Sequence, residues 1–107
     1  MKPAVVFAVY RPIEGKTQEF EQLLAKHVPT LRELGLVTHR EPIIVRAKDG
    51  AYIEVFEWQS DEAARRAHDH PVVARFWEKM GATGKFATLS SLAEAGDSFP
   101  HFEPMAL

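Results

Sequence analysis

The amino-acid sequence predicts an α+β fold on three observations. A run dominated by β-branched and aromatic residues opens the chain, two later stretches carry apolar residues at helical spacing, and an Asp-Gly step joins two further β-rich runs. The first strand is expected over Ala4 to Arg11, where Val5, Val6, Phe7, Val9 and Tyr10 cluster, with Pro12 and Gly15 turning the chain after it. From Lys16 the period changes. Phe20, Leu23, Leu24, His27, Leu31 and Leu34 recur at three- and four-residue steps and predict an amphipathic helix. Pro29 inside that pattern predicts a kink, and Gly35 a left-handed cap.

A second strand is expected from Val37 to Ala47. Pro42 within it points to a sheet edge or a bulge. Lys48-Asp49-Gly50 suits a tight hairpin, which leads into a third strand over Ala51 to Trp58. Ser60 is placed to cap the next helix, with Asp61 and Glu62 in its first turn. His70-Pro71 interrupts that helix. Pro71 then suits the first position of another, which carries Val73, Phe76, Trp77 and Met80 and is expected to end at Gly81 and Gly84. A fourth strand is expected over Lys85 to Leu92. Residues 1–95 thus read as one domain and residues 96–107 as a tail. The order β-α-β-β-α-β is that of a ferredoxin-like fold, four antiparallel strands with helices on one face.

A chain of 107 residues with a hydrophobic fraction of 46% suits one domain with its own core. A net charge of -2 and the absence of any basic cluster exclude the electrostatic footprint of a nucleic-acid-binding protein. The chain has no cysteine, which removes disulfides, thiolate metal sites and cysteine nucleophiles together and fits a reducing cytoplasm. The apolar run near the N-terminus is too short for a membrane span and is followed by no small-residue cleavage site, so no membrane partner is expected.

A sheet with helices on one face and water on the other alternates apolar and polar residues. The first strand does not: Val5, Phe7 and Val9 lie on one side, Ala4, Val6, Ala8 and Tyr10 on the other. The third is similar, with Ile53 and Val55 opposed to Tyr52, Phe56 and Trp58. Two apolar faces and helices enough for one predict a homodimer joined through the bare face. The alternative is a monomer whose tail, with Ser98-Phe99-Pro100-His101-Phe102, folds over that face.

The segment Glu57-Trp58-Gln59-Ser60-Asp61-Glu62-Ala63-Ala64, continued by Ala67-His68-Asp69-His70-Pro71-Val72-Val73, resembles the dimeric α/β-barrel proteins, specifically the antibiotic biosynthesis monooxygenase-like group. The step Leu34-Gly35-Leu36-Val37 fits as well, and the resemblance runs from Ala4 to Leu92. It implies a homodimer acting on a small aromatic or quinone-like molecule held between sheet and helices, with no protein-bound cofactor. Haem-degrading members of that group combine an asparagine with a histidine and a tryptophan. This chain contains no asparagine, so that triad cannot be assembled here.

Among candidate site residues, His68 and His70 stand two apart, which on a helix turns them to different sides and makes no metal pair. His68 alone suits an acid–base role at a pocket. His39 and Arg40 fall on the expected second strand. Glu54 shares a face with Tyr52, Phe56 and Trp58 on the third, either as a base with a raised pKa or as one half of an ion pair with Arg40 or Arg46. Tyr10, Trp58, Phe76, Trp77, Met80 and Phe86 either line a pocket for a flat ring or form ordinary core. Three functions follow: a cofactor-independent oxygenase or isomerase with His68, His39 or Glu54 as base, a non-catalytic small-molecule-binding or stress-associated dimer, and a haem-binding or haem-degrading protein.

Overall fold

The computed structural model describes residues 2–107. It is an α+β fold with three α-helices and one antiparallel sheet. In chain order the elements are β1 (Ala4–Pro12), α1 (Thr17–Glu33), β2 (Ile43–Arg46), β3 (Tyr52–Trp58), α2 (Asp61–Asp69), α3 (Pro71–Thr83), β4 (Gly84–Ala87), two short 3-10 turns and β5 (Glu103–Pro104). The sheet has five strands in the order β4-β1-β3-β2-β5, not four. No helix among the described residues is long and apolar enough to cross a membrane.

The two central strands set the frame. β1 and β3 pair along their full lengths, from Ala4 opposite Trp58 to Tyr10 opposite Tyr52. This register puts Val6, Ala8 and Tyr10 on the same face as Tyr52, Glu54, Phe56 and Trp58. The helices cover that face. α1 buries Phe20, Leu24, His27, Val28 and Leu31 against it, and α3 buries Val73 and Met80. α1 continues through Pro29 and ends in a Schellman arrangement: Leu36 N–H donates to Leu31 C=O and Gly35 N–H to Arg32 C=O, with Gly35 at φ 73°. Ser60 caps α2, its hydroxyl accepting from Ala63 N–H at 3.0 Å. His70 ends α2 and caps α3 at once. Its Nδ1 accepts from Val72 N–H at 3.2 Å, and Pro71 occupies the first turn. α3 runs past Gly81 and stops at Gly84. A Cβ on Gly84 would lie 3.0 Å from the Phe20 ring, so the bare backbone here makes room for the core.

Three expectations at strand ends need correction. The second strand is four residues long rather than the whole of Val37 to Ala47. Val37 makes only an isolated bridge to Trp58. Thr38 then turns the chain away, because its hydroxyl donates to Glu57 Oε1 at 2.8 Å and accepts from Arg40 N–H at 3.2 Å. Pro42, lacking an N–H, keeps the ladder from resuming before Ile43. The fourth strand ends at Ala87 rather than Leu92, since the Thr and Ser residues that follow satisfy one another locally. Ser91 Oγ donates to Thr88 C=O at 2.6 Å inside a 3-10 turn. The expected tail supplies the fifth strand: Glu103 and Pro104 pair with Arg46 and Val45, and Met105 N–H donates to Ile44 C=O at 2.9 Å.

The face away from the helices is covered at one end only. Leu92 and Phe102 pack with Val9, Ala47, Ala51 and Ile53. Val5, Phe7 and Ile43 remain 52%, 54% and 60% exposed, as does most of Phe99. A cavity of about 400 Å³ separates Phe7, Ile43 and Val55 from Leu89, Ala95 and Pro100.

Candidate functional site

Glu54 stands at the middle of β3, on the face that the helices cover, opposite Ala8 of β1 and Ile44 of β2. The small Ala8 leaves space above it. α1 fills that space with His27, which occupies the apolar stripe of the helix between Leu24 and Leu31. Both groups are sealed from water, with His27 2% and Glu54 0% exposed. A carboxylate buried this deeply costs several kcal/mol, roughly, unless hydrogen bonds satisfy it. Here two side chains supply them. His27 Nδ1 lies 2.8 Å from Glu54 Oε1 and 3.1 Å from Oε2, and the Tyr10 hydroxyl donates to Oε1 at 2.8 Å.

The tautomer of His27 follows from its other neighbour. Trp77 Nε1 lies 2.9 Å from His27 Nε2. An indole nitrogen can only donate, so His27 Nε2 must accept and carries no proton. The ring proton is then on Nδ1 and points at the carboxylate. The result is a directed chain: Trp77 donates to His27, His27 donates to Glu54, and Tyr10 donates to Glu54 from the other side. Every donor and acceptor is used, and no buried side-chain nitrogen or oxygen among the described residues lacks a partner. Phe76 stacks on the imidazole at 5.7 Å between ring centres and Phe56 meets it edge-on at 5.5 Å, which fixes its orientation.

The imidazole end of this chain reaches a cavity of about 280 Å³. Its walls are Val6, Ala8 and Tyr10 from β1, Phe56 and Trp58 from β3, His27, the His68 and Trp77 rings, and Phe86 with Ala87. The walls are mainly apolar, with a few polar groups at fixed positions, as in small-molecule sites generally. His68 is exposed at the rim and meets Trp77 edge-on at 5.0 Å.

Of the residues singled out from the sequence, Tyr10, Trp58, His68, Trp77 and Phe86 line this cavity. Phe76 backs His27 rather than lining the wall, and Glu54 sits behind His27. His39 does not join them. It lies exposed in the loop that Thr38 and Pro42 keep out of the sheet. Glu54 pairs with neither Arg40 nor Arg46. Those guanidinium groups bind Glu57 and Glu103 at the surface, at 3.2 and 2.6 Å. The residue that sequence reasoning passed over is His27. The signal was present: a histidine in the apolar stripe of a helix and a glutamate on an apolar strand face both need a partner inside the same core. Among the described residues no three His, Asp or Glu side chains converge in a way that could hold a metal ion.

Burial, then the charge of Glu54 and its hydrogen bond, push the Tyr10 phenol far above its ordinary value. Above pH about 10 the unfolded chain releases this proton while the folded chain keeps it, so stability falls by about 1.4 kcal/mol per pH unit from this group. Tyr52 is shifted upward too, first by burial and then by its hydrogen bond to Glu21. The difference between wild type and Tyr10→Phe therefore isolates Tyr10. Urea titrations at pH about 9 and about 11 are expected to show a shallower alkaline loss in the variant. Equal slopes would place the Tyr10 proton outside the buried network.

No family model matches the chain, and no curated protein or solved structure matches it either.

Proposed function

We propose that the chain is a cofactor-independent, oxygenase-like protein that takes a small aromatic or quinone-like molecule into the cavity beside His27. The observation that carries this reading is the chain of hydrogen bonds from Tyr10 through Glu54 to His27, which ends at the wall of an apolar cavity. Glu54 fixes the Nδ1–H tautomer and stabilises the imidazolium that forms when Nε2 takes a proton. His27, not His68 or His39, is then the base, and Glu54 is its positioning residue.

Proton removal from an activated ring carbon leaves an electron-rich anion that can react with oxygen directly. For a carbon bearing two hydrogens the step balances without a further reductant. One oxygen atom becomes the carbonyl, the other leaves as water with the two hydrogens, and the four electrons lost by carbon are those gained by O2. The protein supplies position, a dry site and a base.

The architecture that supports this reading is a ferredoxin-like, dimeric α/β barrel. The order β4-β1-β3-β2 with helices on one face fits the first part. Exposed Val5, Phe7 and Ile43 on the opposite face fit the second, with a further copy as their cover.

A second reading, a passive binding dimer, is favoured by one observation: His27 Nε2 is already occupied by Trp77. An oxygen electrode separates the two. With a hydroxylated tricyclic ketone carrying an activated ring CH2, the protein is expected to accelerate oxygen uptake with one O2 consumed per ring oxidised. Binding without uptake would leave the passive reading in its place.

A further inference from the structure

The lone pair of His27 that faces the cavity is not free. Trp77 holds it through its indole N–H at 2.9 Å. A base so engaged can take no proton, and nothing in the cavity can hydrogen-bond to it, until the indole leaves. We propose that Trp77 is a displaceable latch on His27, released by a ligand whose own neutral O–H or N–H takes over the same lone pair. This rests on the proposed binding of a small molecule beside His27, but not on any oxygen chemistry there.

Three features support an exchange of donors rather than a fixed bond. Trp77 is only half-buried, and the exposed His68 is the ring against it. An indole that swings outward therefore finds water for its N–H, and no orphaned donor is left behind. His27 itself cannot follow, because Glu54, Phe56 and Phe76 hold its ring from three other directions. The exchange is therefore confined to Nε2. The incoming group must be a donor, since Nε2 offers only a lone pair. It must also be neutral, because the cavity walls are mostly apolar and a charge there would be desolvated without a partner. At about 280 Å³ the cavity lies near the lower end of the roughly 300–1,000 Å³ usual for ligand pockets, which suits a compact ring system.

The chain has two tryptophans, Trp58 and Trp77, and both line this cavity. Their indole N–H signals in a nitrogen–proton correlation spectrum are therefore two, and Trp77→Phe assigns them by deletion. 1-Naphthol and 1-methoxynaphthalene serve as probes with nearly the same ring and shape, of which only the first can donate. With 1-naphthol the Trp77 signal is expected to move from the position of an imidazole-bonded indole towards that of a hydrated one. With 1-methoxynaphthalene it is expected to keep its bonded position while the Trp58 signal reports ring contact. In Trp77→Phe the latch is absent, and 1-naphthol is expected to bind about three- to tenfold more tightly, the equivalent of one neutral hydrogen bond. The methoxy compound should gain nothing.

Equal movement of the Trp77 signal with both probes would overturn the latch, since displacement would then be steric. So would a bound naphthol that leaves the signal in place, and so would a naphthol that does not bind at millimolar concentration. A protein that consumes no oxygen with any substrate yet shows the donor-dependent shift keeps the latch and loses only the oxygenase reading.

Discussion

Glu54→Ala is expected to remove about 2–5 kcal/mol of folding stability, because two buried donors lose their acceptor at about 1–3 kcal/mol each. The substitution leaves the His27 Nδ1–H and the Tyr10 hydroxyl buried without an acceptor, and it opens a space at the centre of β3 that Ala8, opposite, is too small to fill. Small domains have about 5–15 kcal/mol in all, so the loss is a large share and reads directly in a urea titration. The contributions are coupled. In a Tyr10→Phe background one of the two stranded donors is already gone, and the same change is expected to remove less, by about 0.5–3 kcal/mol. A loss below about 1 kcal/mol in the wild-type background would mean that Glu54 is not held in the network described.

The second large effect is on turnover. His27→Asn keeps an N–H near the place of Nδ1, so Glu54 retains a donor, and removes the basic nitrogen at the cavity wall. Under the proposed function this variant should stay folded and lose about 10²- to 10⁴-fold in rate, the usual contribution of a positioned general base. His68→Ala, at the exposed rim, should lose far less. If the two variants fell equally, or if His68→Ala fell further, the base would be His68 and the buried network would be purely structural.

How much of this was legible beforehand differs between the middle of the chain and the strand ends. β1, β3 and the helices were readable because apolar periodicity and caps agree there. Val5 to Tyr10 alternates across two apolar faces, Ser60 caps α2, and Pro71 opens α3. The ends of β2 and β4 were not, because side-chain hydroxyls decide them. Thr38 and Ser91 take local backbone and side-chain partners and draw the chain out of the ladder, which no count of β-formers registers. β5 was invisible for a related reason: Glu-Pro has poor strand propensity, and its pairing depends on contacts far away in sequence. At the site, the aromatic lining was legible but the buried His27–Glu54 contact was not. Glu54 reads from the sequence as either a base of raised pKa or a partner of Arg40 or Arg46, and neither reading brings in His27, which α1 places 2.8 Å away. The network needs the pairing of α1 with β3, a tertiary fact that neither segment carries alone.

β5 also protects the sheet. Without it, β2 would be an outer strand with Ile43, Ile44 and Val45 in sequence and an open row of backbone donors and acceptors, a template for uncontrolled association. β5 covers the Val45–Arg46 half of it, and Met105 N–H adds one bond to Ile44 C=O. Pro104 sits opposite Val45 and has no N–H to offer a further strand, and Glu103 holds Arg46 beside it in an ion pair at 2.6 Å. The sheet therefore ends on this side in a charged, proline-stopped border, and its exposed apolar surface lies on the broad face around Phe7 rather than along this edge.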